Sequence, residues 1–291
     1  MKDSLPAPCL LCGSTALLRE SHIIPAFVVR WVKNTAATPY LRQAESPNLP
    51  RQDMTKLRLL CERCEELFSR SEKTFCERIF LPYQEQTRRS FGYDKWLLHF
   101  AVSLAWRTTV KEIKTFRKEQ PSLAPHADKA LKCWADYLLG RTSGVEPYAH
   151  HLLFWDPDTM HMKGDADIPD KFYWYILRSI DSTIAYHPKY VQAYTKLPSM
   201  IFWSGILPAK PPGWEGTIIK QTGTIGMPQR VRQKGFGPFL SDRVREVRSH
   251  MKGMSDKQRQ RITDQVLADP ERSVNSKSFE AFRVEQRLKN R

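Results

Sequence analysis

Between residues 94 and 117 the apolar side chains recur at helical spacing, with Trp96, Leu97, Phe100, Ala101, Leu104, Ala105 and Ile113 on one broad face. Asp94 stands where an N-cap belongs. The prolines at 121 and 125 interrupt this pattern, and residues 127–139 predict a second helix that Gly140 closes. Upstream, Leu67, Phe68, Phe75 and Ile79 predict a helix from Glu62 that stops at Pro82. Residues 26–33 are apolar enough for either a buried strand or a short helix. Residues 34–54 hold Pro39, Pro47 and Pro50 without a sustained period and read as an inserted loop.

From His150 the texture changes. β-Branched and aromatic runs at 151–155, 171–177, 199–204 and 216–220 are separated by Asp/Pro/Gly turns and predict a small antiparallel sheet. The tail returns to helical spacing over 238–250, 255–268 with Ser255 as N-cap and Pro270 as stop, and 276–289. The pattern predicts an α+β protein, mainly helical, in four segments: 1–92, a helical 93–145, a mixed 146–236 with short strands, and a helical 237–291.

Charge adds a direction to this picture. The chain of 291 residues carries a formal charge of +15. Residues 207–291 hold 18 basic and 9 acidic side chains, a local excess of +9 that makes the helical C-terminus basic. Such an excess favours a polyanionic partner, nucleic acid first. No run of eighteen apolar residues occurs, so no membrane span is expected. The N-terminus has no basic stretch leading into an apolar one, which predicts a cytoplasmic chain.

Six cysteines are too few for a disulfide framework in a chain of this length. Four stand in two Cys-x-x-Cys pairs, Cys9/Cys12 and Cys61/Cys64, a spacing that supplies four thiolates to a tetrahedral zinc ion from two anchor points. Cys12-Gly13 suits a zinc knuckle, because glycine tolerates the positive φ of its tight turn. The second pair falls at a predicted helix start. Metal binding is expected to contribute folding energy here. Cys76 and Cys133 have no such partners and read as small packed hydrophobes.

Between the pairs lies Ser21-His-Ile-Ile-Pro25. The order Cys-x-x-Cys-Gly, then a polar-His-Ile-Ile-Pro strand, then Leu-Leu-Cys-x-x-Cys entering a helix, resembles the zinc-containing branch of the HNH endonuclease family. The resemblance covers residues 9–75 and implies a zinc-bound treble-clef or HNH-like module with a ββα-metal fold. It implies phosphodiester hydrolysis, with DNA as the nucleic-acid partner, His22 as general base and Mg²⁺ or Mn²⁺ as catalytic ion. Small bacterial proteins of this type often serve in phage defence. Imidazole is suited to the base role near neutral pH. The chain departs from the family in three places. Ser21 stands where Asp or His is usual. The base-orienting Asn has Asn48, Gln52 and Asp53 as candidates in a lengthened loop. The helix offers Glu66 and Glu72 in place of a metal-ligating His or Asn. A non-catalytic zinc finger that binds nucleic acid or a protein partner, a second copy included, is the alternative reading of the same residues.

Two further clusters stand out. His150, His151 and His161 with Asp156, Asp158, Asp165 and Asp167 form a patch that reads as a turn-rich loop, with metal binding as the alternative. Arg230, Arg232 and Lys234, followed by Arg243, Arg245 and Arg248, form a basic region able to track phosphates.

Overall fold

A computed structural model describes residues 5–54, 56–157 and 168–289. The chain begins with a hairpin of β1 (Ala7–Pro8) and β2 (Thr15–Ala16), then runs β3 (Arg19–His22), α1 (Ala26–Asn34), β4 (Lys56–Leu60) and α2 (Glu62–Phe75). β3 and β4 pair antiparallel across the long insertion. Residues 26–33, open between strand and helix in the sequence, are therefore helical.

Pro82 does not end the helix that starts at Glu62. A π-helical turn, Cys76–Phe80, passes the axis on to α3 (Leu81–Gln84), where Pro82 sits in the first turn. A proline tolerated in a first turn costs nothing in missing N–H bonds. β5 (Ser90–Tyr93) then leads into α4 (Lys95–Glu119), with the Asp94 carboxylate accepting from Trp96 N at 3.2 Å. α5 (Ala124–Leu138) packs back on α4, and Gly140 takes the left-handed conformation that closes it.

The second half holds β6 (His150–Phe154), α6 (Phe172–Arg178), β7 (Asp181–His187), β8 (Tyr190–Leu197) and β9 (Met200–Leu207). These strands form one antiparallel sheet in the order β6-β9-β8-β7. The short strands β10 (Trp214–Glu215) and β12 (Arg230–Val231) pair with each other, while β11 (Gly223–Gly226) pairs with β5. Residues 216–220, predicted as a strand, lie instead along the free edge of β6. There Thr217 O accepts from Leu152 N and Ile219 N donates to His150 O. The chain ends in α7 (Phe236–Lys252), α8 (Asp256–Ala268), α9 (Pro270–Asn275) and α10 (Lys277–Lys289). Ser255 caps α8 as predicted, and Pro270 opens α9 directly after α8 stops.

The central strands β8 and β9 are buried on both faces, so β9 reads as a nearly continuous apolar run while β8 carries buried Gln192, Thr195 and Lys196. Leu152, Phe154, Val191, Ala193 and Phe202 join α2 and α4 in the larger core. There Phe75 stacks on Phe100 at 4.2 Å and meets Phe202 edge-on. Leu153, Tyr194, Ile201 and Trp203 face α6 and α7 in the second core. The larger core draws on residues from Cys9 to Ile225, so the boundaries read near 92 and 145 do not divide it. The run 171–177, predicted as a strand, is helix α6. No described helix is long and apolar enough to cross a membrane.

Candidate metal centre and histidine site

The first cysteine pair sits on the turn of the β1–β2 hairpin. Gly13 N donates to Cys9 O and Cys9 N to Ser14 O, and Gly13 has φ +79°, which a side chain would strain. Leu10 N donates to Leu59 O, tying the turn to the end of β4. At that end Cys61 is the N-cap residue of α2 in extended conformation, and Cys64 lies in the first helical turn. Two anchor points 49 residues apart in sequence thus converge.

The four sulfurs all lie within 4.8 Å of one another, and Cys12 Sγ is 3.8 Å from Cys61 Sγ. Two sulfurs on a tetrahedral zinc ion, at roughly 2.3 Å each, stand about 3.8 Å apart. The four cysteines therefore fit a metal ion such as zinc. Among the described residues they are the one group of three or more Cys, His, Asp or Glu so placed. Burial works against the Cys12 thiolate, but hydrogen bonds from Ser14 and the neighbouring cysteines outweigh it and bring its pKa down to about 6. Burial pushes the Cys61 and Cys64 thiols up. A bound cation would hold all four as thiolates.

His22 ends β3, across from Lys56. Its Nε2 lies 3.1 and 3.2 Å from the two carboxylate oxygens of Asp53. Lys56 Nζ stands 2.8 Å from Asp53 Oδ2, and Met54 N donates to Oδ1 at 2.8 Å. Burial raises the Asp53 pKa, but these donors outweigh it and hold the carboxyl at about 2. An ionised carboxylate on Nε2 fixes the proton there and leaves Nδ1 to carry the lone pair. Of the three loop candidates for orienting the histidine, Asp53 is the one at the imidazole.

Asn48 is engaged elsewhere. Its Oδ1 accepts from Ser255 N at 2.7 Å and its Nδ2 donates to Gly253 O at 3.0 Å, clamping the corner between α7 and α8. Gln52 accepts from Lys33 Nζ through both its backbone and side-chain oxygens.

The helix glutamates also part company. Glu66 and Glu72 are six residues apart, which at 3.6 residues per turn sets them about 120° apart around α2. Glu72 pairs with Arg107 at 2.7 Å. Arg107, 2% exposed, also donates to His22 O at 3.0 Å and lies over the Phe68 ring. Glu66 is exposed on the wall of a groove of about 1880 Å³. That groove runs past Cys12, Cys61 and Cys64, with Arg58, Arg63, Arg70, Lys95 and Arg141 among its walls, and does not include His22. Ser21 is 1% exposed and turned inward. The paired use of Glu66 and Glu72 for one catalytic ion is therefore not what the geometry assembles.

Arg107 escaped the sequence reading. Its signal was a single arginine inside the otherwise apolar stretch of α4, where a charge persists only if paired.

In the C-terminal region Arg230, Arg232 and Lys234 are exposed, with Arg232 Nε 3.0 Å from Glu215. Arg243 binds Asp181 through two nitrogens, Arg245 pairs with Asp242, and Arg248 with Asp170. The α7 arginines are thus committed to acids within the fold.

His150 and His151 are not part of a loop. They are buried on β6, where Nδ1 of His150 meets Ser204 Oγ at 2.7 Å and Nδ1 of His151 meets Thr217 Oγ1 at 2.9 Å. Asp156 is ion-paired with Arg89. Asp158, His161, Asp165 and Asp167 lie outside the described residues. In comparisons with known proteins, no family model, no curated protein and no solved structure gives a significant match to the chain.

Proposed function

We propose that the chain is an HNH-like endonuclease that hydrolyses phosphodiester bonds of DNA, with His22 as general base. The observation that carries this reading is the His22–Asp53 pair. It sits on the hairpin that bridges the two cysteine pairs, and the His22 side chain keeps 18% of its surface open to water. In this reading Asp53 holds the Nε2 proton, and Nδ1 removes a proton from the water that attacks phosphorus. The charge of +15 and the basic groove beside the cysteines support a polyanionic substrate. Among the described residues the ordinary ligands for a second ion do not converge at His22. The oxygens of Asp53 already serve His22, Lys56 and Met54, so a requirement for Mg²⁺ or Mn²⁺ rests on the family resemblance alone.

The test is plasmid nicking with Mg²⁺, with Mn²⁺ and with chelator, on wild type and His22→Ala. The expected result is nicking by wild type and a loss of about 10²-fold or more in the variant. Equal activity in both, or none in either despite tight DNA binding, overturns the proposal.

A second reading has its own observation. Glu72 is tied to Arg107 and Ser21 faces the core, which leaves His22 and Asp53 without companions of the family pattern. A non-catalytic zinc module that binds nucleic acid or a protein partner needs none. Binding without nicking, unchanged by His22→Ala, is its signature.

A further inference from the structure

A cavity of about 430 Å³ is walled by α1, α3, the ends of β6 and α6, and one side of α10. Its wall carries Arg89, Arg178, Lys277, Arg283 and Arg287 against Asp156 and Glu280, an excess of three positive charges. Trp31, Tyr83 and Trp155 supply aromatic surface beside them.

Two buried groups in this wall lack what buried groups normally have. Arg178 is 3% exposed, and its guanidinium donates to Thr35 Oγ1 and Val32 O, both neutral, at 2.9 Å. No ion pair to an acid within 4.0 Å accompanies it among the described residues, although burial alone lowers its pKa, to about 10, with only Glu280 opposing. Trp155 is also 3% exposed, and its indole N–H has no acceptor among the described residues. Arg178 also lies over the Trp31 ring at 5.1 Å, so the group left with no partner at all is the Trp155 N–H, a buried donor that costs free energy until an acceptor meets it. Among the described residues the group of this wall that stands short of a partner is a donor, so the partner that fits it is an acceptor.

The volume falls in the range of small-ligand sites. Aromatic rings with convergent guanidiniums fit a planar base joined to a phosphate. We infer that this cavity binds a nucleoside phosphate, with the phosphate on the arginine side and the base against the aromatic wall. The site is independent of the phosphodiesterase reading, because a mononucleotide has no phosphodiester bond to cut and His22 is not in its wall.

The closing experiment uses the full chain. AMP, GMP and UMP are compared with adenosine and with inorganic phosphate by calorimetry and by thermal melting. At least one mononucleotide is expected to bind about tenfold or more tighter than either adenosine or phosphate, and to raise Tm. Arg283→Glu, at an exposed position, and Trp155→Phe, which removes the unpaired N–H, should each weaken that binding about fivefold or more. Melting of the free variants checks that they fold, and His22→Ala should bind as wild type does. Phosphate binding as tightly as every mononucleotide, no binding by any nucleotide at about 1 mM, or undiminished binding by folded Arg283→Glu and Trp155→Phe overturns the inference.

Discussion

Asp53 illustrates how one residue can hold several consequences. As a positioning residue for His22 it acts through the tautomer it enforces, so Asp53→Asn is expected to lower nicking by about 10²-fold or more while DNA affinity stays near wild type. Because its folded pKa of about 2 lies below the ordinary carboxylate value, the stabilisation it provides is present above about pH 4 and fades as pH falls towards 2. His99, His150 and His151 share a higher window. Burial lowers His150 to about 3 and His99 and His151 to about 4, and a nearby His151 adds to the effect on His150. Between about pH 6.5 and 4 the unfolded chain takes up protons that the folded chain refuses, so stability falls as pH falls through that window. Each histidine contributes on the order of 3 kcal/mol to the loss at its acid end. Urea unfolding at pH 7 and pH 4.5 should show a much lower midpoint in acid. His151→Gln should flatten part of that slope, and an equal slope in the variant would show that the proton goes elsewhere.

At the scale of elements, the cysteine cluster joins pieces that have little else in common. The β1–β2 hairpin spans ten residues and is tied to the rest by Leu10 N, the buried Leu11 and the sulfurs. Cys61→Ser, or a strong zinc chelator, is therefore expected to release amide protection in 7–22 and 56–64 ahead of the main sheet, a change that hydrogen exchange followed by mass spectrometry reads directly. Simultaneous loss across β6 to β9 would mean that the metal holds the whole molecule. A second element depends on backbone approach. A Cβ on Gly226 would stand 2.3 Å from Arg89 O and 2.6 Å from Ser90 Cα, so Gly226→Ala should part β11 from β5 at a cost of about 1–3 kcal/mol, seen as a lower denaturant midpoint.

These elements also show what could be read in advance. α4 with its Asp94 cap, α5 with its closing glycine, and α8 with Ser255 were legible because the signals that set them are local. α6 was not. Its aromatic run is buried on nearly every side, so no helical stripe appears. Its first turn is capped from α10, where Glu285 accepts from the N–H groups of Lys171, Tyr173 and Trp174. A cap supplied more than a hundred residues away leaves no local trace. β7 and β8 went unread for a related reason, since half-buried Asp181 and buried Gln192, Thr195 and Lys196 sit in them among network partners. At the candidate site, the cysteines were legible from spacing. The choice of Asp53 over Asn48 depended on how a long loop folds back.

For the molecule as a whole, the open question is where a charge of +15 acts. Two surfaces compete. The groove beside the cysteines gathers Arg58, Arg63, Arg70, Lys95 and Arg141 with Glu20, Glu62 and Glu66, and Glu62 is itself held by Arg19. The β12 surface offers Arg230, Arg232 and Lys234, of which Arg232 is already paired with Glu215. Part of the remaining C-terminal excess is offset by acids outside that third, Asp181 on Arg243 and Asp170 on Arg248 and Lys289, so total charge overstates what that third can give to a phosphate backbone. The groove is concave, where fields of one sign are focused, and that favours it. Each phosphate neutralised on a duplex steepens the fall of log affinity with log salt by roughly 0.9. An Arg58→Gln, Arg63→Gln, Arg70→Gln triple variant should therefore lower the duplex-binding salt slope by up to about 2.7 and weaken binding evenly across unrelated sequences. The corresponding triple variant at 230, 232 and 234 should lower it by about 1 or less. Fluorescence anisotropy over a salt series measures both. If the slope instead drops only in the second variant, nucleic acid runs over the C-terminal surface and the groove serves another ligand.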